Sequence, residues 1–343
     1  MPKKYLILFC FFFIGLQTNL QAQDIHYTQY SFLPALQNSA NTGLMSQDFR
    51  FSTIYRNQWA SVPVNYNSLG FSFDLNFLEN FNTGSKAGAG LNFYFDQAGD
   101  SRLQTLHLMV PLAYHIFIPI KDNTFKISLG VEAGVQYKSL STDALYYDSQ
   151  FNGEIFDATA NNNEDFTNLN VLNPDIGAGI NFEFETENDL RIGLGFSMKH
   201  LNNITETYQN SNLKPTLRKR FTIPAYAKIP LGNKWDVNIS YLFNEQNKSI
   251  ENTTGVMFGY YLLNIGEFKK KLNFGVFYRF ADAPSIAVQY ETNNYKFGLS
   301  YDITASKFAK ATNTYGGVEI AATYLISKVI KPNMNFKRKC YTF

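Results

Sequence analysis

The sequence holds two cysteines, Cys10 and Cys340, and Cys10 falls in the apolar leader described below. The mature chain would keep Cys340 alone, so no internal disulfide can staple it. Long apolar runs are missing too. Beyond residue 22 nothing approaches the roughly 20 apolar residues that a membrane-spanning helix needs, and mean hydropathy is −0.22. A helical membrane protein is excluded, whereas a β-barrel is not, because each of its strands gives only a weak hydropathy signal. No sign of charge dominates: 30 Lys and Arg face 28 Asp and Glu, and the formal net charge is +2. That balance points to neither nucleic acid nor another polyanion. A phosphate-binding glycine loop is absent.

Aromatic residues are abundant, with 32 Phe and 22 Tyr. Between Lys271 and Thr304 they recur in steps of two. Leu272, Phe274, Val276, Tyr278 and Phe280 alternate with Asn273, Gly275, Phe277 and Arg279. Tyr295, Phe297, Leu299, Tyr301 and Ile303 alternate with Lys296, Gly298, Ser300, Asp302 and Thr304. A period of two predicts strands with one apolar and one polar face. The runs approach the roughly 9–11 residues of a tilted strand crossing a bilayer. Phe297 should therefore face lipid, and Gly298, facing the lumen, should accept Ser.

Residues 1–22 read as a secretory signal peptide. Lys3 and Lys4 open it, Tyr5 to Leu16 forms the apolar core, and Ala22 precedes the expected cleavage point. Residues 23–343 then form one outer-membrane β-barrel, all-β and transmembrane, of about 14 antiparallel strands. The expected strand centres lie near 53, 72, 91, 109, 131, 180, 195, 225, 239, 258, 275, 287, 299 and 321. An even number returns both ends to the periplasm. The long gaps 139–173 and 202–219 follow odd strands and fall outside, while the tight connections at 186–189, 231–233 and 292–294 follow even strands and fall inside.

Residues 23–46 are polar and aromatic without clear periodicity. The expectation is an N-terminal lead-in on the periplasmic side of the first strand. The segment holds Asp24, Thr28-Gln29-Tyr30 and Asn38 through Gly43, and the strand that follows ends in Tyr55-Arg56-Asn57-Gln58-Trp59. In these elements the sequence resembles the PorP/SprF family of outer-membrane proteins of the type IX secretion system. Ser39 stands where the family usually has Pro. Tyr301-Asp302, the run Gly316 to Ile320 and the ending Cys340 to Phe343 agree as well. The resemblance implies a non-enzymatic component of type IX secretion that supports export or surface retention of secreted proteins, including gliding adhesins. The implied partners are outer-membrane lipid, the periplasmic ring lipoprotein of the system, a peptidoglycan-binding partner and the secreted surface proteins. Neither nucleic acid nor a cofactor is implied. Asp24, Thr28, Gln29, Tyr30, Asn38, Gly43 and the five residues Tyr55, Arg56, Asn57, Gln58 and Trp59 are the expected partner-binding positions. The alternative is a passive outer-membrane channel or a hydrophobic-compound transporter.

Thirteen charges fall on the inward face of the expected strands: Arg50, Arg56, Asp74, Lys126, Glu132, Asp175, Glu183, Arg191, Lys199, Asp236, Arg279, Asp302 and Glu319. Facing lipid, each would cost several kcal/mol, so they must line the lumen. Their mixed sign favours a filling network of ion pairs over a selective pore, which usually shows a ring of one charge. The four histidines, His26, His107, His115 and His200, show no His-x-x-x-His spacing, which argues against zinc. His107 or His200 could serve as a base, but no nucleophile motif lies beside either. The basic tail 327–343 is expected in the periplasm, either solvated or as a docking segment.

Overall fold

The computed structural model describes residues 24–80, 84–99, 101–142, 145–163, 169–202, 204–205, 216–265 and 268–327. The expected signal peptide, and the tail from residue 328, lie outside the described residues.

Fourteen antiparallel strands close into one barrel. In chain order they are β1 (Phe49–Gln58), β2 (Tyr66–Asn80), β3 (Ser85–Ala98), β4 (Leu103–Ile120), β5 (Asn123–Ser139), β6 (Asn170–Glu185) and β7 (Arg191–Lys199). After a small hairpin of β8 (Ile204–Thr205) and β9 (Thr216–Leu217) come β10 (Arg220–Leu231), β11 (Trp235–Gln246), β12 (Ser249–Ile265) and β13 (Phe268–Arg279). The last three are β14 (Ala283–Thr292), β15 (Tyr295–Ile303) and β16 (Tyr315–Ile326). Each barrel strand pairs with its neighbour in sequence, β7 with β10 across the small hairpin, and β1 pairs with β16 to close the ring. Closure leaves no open edge, so the backbone hydrogen bonds are met within the sheet, the condition for crossing hydrocarbon. Every expected strand centre falls inside an observed barrel strand.

Side chains alternate as the period-two pattern requires. Phe274, Val276, Tyr278, Phe297 and Leu299 are exposed on the outer wall, and all thirteen expected inward charges are buried. Long connections gather at one end of the barrel. By the long-loop rule that end faces outward, and the tight turns after β4, β6, β10 and β14 face the periplasm.

The lumen is occupied by the chain's own N-terminal segment. Residues 27–45 are buried except Ser31, and they contact opposite walls. The Thr28 and Gln29 amides donate to Glu319 on β16, while the Asn38 side-chain amide donates to the carbonyl of Ile180 on β6. The expectation of a lead-in standing on the periplasmic side is therefore corrected: Asp24 starts near the outer end, and the segment descends through the barrel. It leaves at the periplasmic end, where the Asp48 amide donates to the carbonyl of Ile326. The physical reason lies in the wall. Thirteen buried charges need partners, and a polar segment with free backbone groups supplies them.

With all strand edges already paired, the plug meets its hydrogen bonds locally in three short turns, Tyr30–Phe32, Pro34–Gln37 and Ser39–Asn41. Pro34 opens the second turn, where its missing N–H costs nothing. Asn38 caps the third, accepting from the Ala40 amide at 2.9 Å. Apolar packing adds to this seating: Tyr27, Phe32, Leu33 and Leu36 meet Ile54, Tyr94 and Ala321 of the wall. Leu33 and Ile54 are fully buried, and burial of such a side chain contributes about 1.5–3 kcal/mol.

Candidate functional site: the lumenal plug and its anchors

Three polar anchors seat the plug, one at each level of the barrel. The upper anchor is built on Arg56 of β1. Its guanidinium pairs with Glu319 on the neighbouring strand β16 and with Asp302 of β15 at 2.7 Å. Arg279 of β13 reaches the same Asp302 carboxylate at 3.0 Å. The plug completes the cluster. Thr28 donates its backbone N–H to Glu319 at 2.7 Å and its hydroxyl to Asp302 at 2.8 Å, and the Gln29 amide reaches Glu319 at 3.0 Å. Two buried arginines against two buried carboxylates balance in charge. The plug's N–H and O–H groups occupy carboxylate lone pairs that would otherwise be bare.

The lower anchor is the bidentate pair of Arg50 and Asp74, at 2.8 and 2.6 Å. Asp74 also accepts the Gly43 amide at 2.6 Å, and Arg50 donates to the carbonyl of Asn41 at 3.1 Å. Nearby, His115 Nε2 meets the carbonyl of Thr42 at 2.8 Å while its Nδ1 meets the Ser128 hydroxyl at 2.8 Å. This Ser–His pair faces the plug backbone.

The outermost anchor joins Asp24 to two histidines. His200, just past β7, holds Asp24 through Nε2 at 2.7 Å and Asp175 through Nδ1 at 2.8 Å. His107 Nε2 reaches the same Asp175 oxygen at 2.6 Å. Burial alone would push the His200 pKa down, but Asp24 and Asp175 outweigh it and hold the imidazole up at about 9. Burial of the Asp24 carboxyl acts to raise its pKa, yet His200 and Arg220 hold it well below the usual carboxylate range. At His26 the nearby carboxylates, Asp302 among them, do not outweigh burial. Burial, with Arg279 and Arg56 nearby, pushes its pKa well below the ordinary histidine value.

The sequence-predicted positions thus divide. Asp24, Thr28, Gln29, Asn38, Gly43 and Arg56 converge on the plug's anchors. Tyr30 is buried in the plug and borders a cavity of ≈ 150 Å³ between the plug and β10–β15, lined also by Pro34, Lys228, Met257, Lys271 and Lys296. Gln58 accepts from Arg56 Nε at 3.4 Å. Tyr55 lies on the outer wall, its hydroxyl donating to Asn67, which Asn57 also reaches. Trp59 ends the strand at φ 58° and packs edge-on against Tyr66 and beside Phe308.

Glycines mark the plug's path. A Cβ on Gly130 would strike the backbone at Ser39 and Ala40, and one on Gly88 the carbonyl of Thr42. One on Gly298 would meet the side-chain ends of Gln29 and Phe32, so the Ser expected to fit there would have to shift those side chains. The wall is smooth there because the plug touches it. The sequence also hid the meeting of His107, Asp175 and His200, whose donor atoms all lie within 4.8 Å of one another. They come from three places in the chain, and only the register of β4 to β7 unites them.

A closed antiparallel barrel with an aromatic outer wall and a charged, filled lumen defines an outer-membrane β-barrel protein. Over residues 19–324 the chain matches the family described as type IX secretion system membrane protein PorP/SprF, and it belongs to that family. Membership implies partners within that secretion system. No curated protein matches. Solved structures share the general architecture at low identity. The toluene transporter TbuX of Ralstonia pickettii is 13% identical with a TM-score of 0.46, covering 88% of this chain and 94% of its own. The CymD monoaromatic hydrocarbon channel is 10% identical with a TM-score of 0.48, covering 90% and 95%. The β domain of the Bordetella autotransporter BrkA is 10% identical with a TM-score of 0.39, covering 81% of this chain and 98% of its own.

Proposed function

We propose that this barrel is a non-enzymatic, plugged component of type IX secretion that supports export or surface retention of secreted proteins, adhesins of gliding motility among them. The observation that carries this reading is the convergence of family-matching residues on the plug. Thr28, Gln29, Arg56, Asp302 and Glu319 come from four separate stretches and form one buried cluster. Transporter barrels also carry plugs, so it is the family match over residues 19–324, together with this convergence, that favours secretion over conduction. On this reading Asp24, Thr28, Gln29, Tyr30, Asn38, Gly43 and Arg56, with Gln58 beside it, serve partner binding through the plug, either by holding its seated form or by engaging a partner when it moves, while Tyr55, Asn57 and Trp59 serve it from the barrel wall. The partners are the periplasmic ring lipoprotein, a peptidoglycan-binding protein and the exported surface protein.

The test is a deletion of Asp24 to Asn38 in the otherwise complete chain. The expected product is a heat-modifiable barrel in the outer membrane that no longer supports surface display of its client, and whose lumen now conducts ions. A complete gene knockout that displays every surface protein normally would overturn the secretion role. Normal display by the deletion form alone would overturn the part given to the plug.

A further inference from the structure

The His107, Asp175 and His200 cluster satisfies the donor requirements of a transition-metal site. Two imidazole nitrogens and one carboxylate face each other with all donor atoms within 4.8 Å, and the three residues are at most 1% exposed. Asp175 takes both histidines on a single oxygen, at 2.6 and 2.8 Å, while its other oxygen is buried without a hydrogen bond, as is His107 Nδ1. Buried polar atoms are rarely left so, and each one asks for an explanation.

The surroundings supply the outer layer that such sites use. A metal-ligating histidine usually passes its second ring N–H to a carboxylate, which fixes the tautomer and the ring plane. His200 does this with Asp24 at 2.7 Å, and Asp24 in turn lies 3.8 Å from Arg220. The donor set also selects the ion. Calcium and magnesium prefer oxygen-only shells, whereas two imidazoles and a carboxylate suit zinc and its first-row neighbours.

We propose that His107 Nε2, His200 Nδ1 and Asp175 bind one divalent transition-metal ion, zinc by chemistry, at the outer end of the lumen. The ion sits between the two imidazole nitrogens and Asp175, and the bare Asp175 oxygen or a water completes the shell. Through His200 and Asp24 the bound ion would clasp the start of the plug to the barrel wall. The site's existence does not depend on the secretion reading.

The test uses the purified full-length barrel in detergent, stripped with a chelator and titrated with Zn²⁺ and Co²⁺. Saturable uptake of one equivalent is expected. H107A and D175N should each weaken it at least tenfold. D24N, one shell out, should weaken it roughly 10–100-fold, and E154A, on the exposed connection between β5 and β6, should leave it unchanged. Should the ligand variants fail to fold, Cu²⁺ electron paramagnetic resonance on the wild-type barrel decides, with coupling to two nitrogens expected. No saturable uptake by the folded wild-type protein, undiminished uptake by folded H107A and D175N, or a copper spectrum without two nitrogens would each overturn the site.

Discussion

Arg56 of β1 and Glu319 of β16 are register partners across the seam that closes the barrel, and their side chains form a buried ion pair. Both are at most 1% exposed, and the plug's Thr28 donates to each side of the cluster they make. The pair is therefore a strand contact, a lumen contact and a plug contact together.

Removing the cation tests that arrangement. R56A would leave the buried Glu319 and Asp302 carboxylates with only Arg279 to balance them. Breaking a buried pair from one side costs about 3–5 kcal/mol. The temperature at which the barrel loses its compact electrophoretic form should fall clearly below that of the wild type. R56K should recover part of this loss, because a lysine keeps the charge but cannot pair with two carboxylates through a planar fork. An R56A barrel as heat-resistant as the wild type would show that the cluster contributes nothing net.

The wall glycines separate barrel from plug. G130L adds a side chain where Ser39 and Ala40 backbone must pass, and the sheet around it is otherwise unaltered. It should give a folded barrel whose plug is unseated, seen as increased ion conductance in planar bilayers. F297R acts on the opposite face. It puts a cation against lipid at about 2–4 kcal/mol near mid-membrane and should lower the yield of assembled barrel instead. Conductance unchanged in G130L would mean that the plug tolerates displacement without opening the lumen.

Topology makes a third prediction with an unusual feature. A protease site inserted at Asn162, in the long connection between β5 and β6, should be cut on intact cells. A short epitope placed just before Asp24 should also be reached by antibody on intact cells, because Asp24 meets His200 and Gln246 at the same outer end. Antibody access only after the outer membrane is breached would place the start of the plug at the other mouth.

Much of the barrel was legible because its physics is periodic. The step-two alternation at Phe297 and Gly298 follows from lipid on one side and a polar lumen on the other. Loop lengths then fixed the strand parity. The plug was not legible, because a segment without period looks the same whether it lies in solvent or inside a wall. Its signals were indirect. Asp302 and Glu319 had to find cations and donors, and Gly130 had to make room for something. Asp24, Thr28, Gln29 and Arg56 were marked by the family resemblance, and Arg50, Asp74 and Asp175 only as inward charges, and their meetings came with the register of β1 against β2 and β16 and with the path of the plug. The histidine cluster had no local spacing to reveal it, since His107 and His200 lie 93 positions apart by their numbers.

The position of Arg56 on the closing seam ties the completeness of the ring to its contents. Arg56 and Glu319 are brought together only by the pairing of β1 with β16, and Glu319 then accepts the Thr28 and Gln29 amides of the plug. A ring closed around a misplaced N-terminal segment would leave the Glu319 and Asp302 carboxylates short of those donors. The seam serves as an inspection point: it completes well only around a correctly loaded interior.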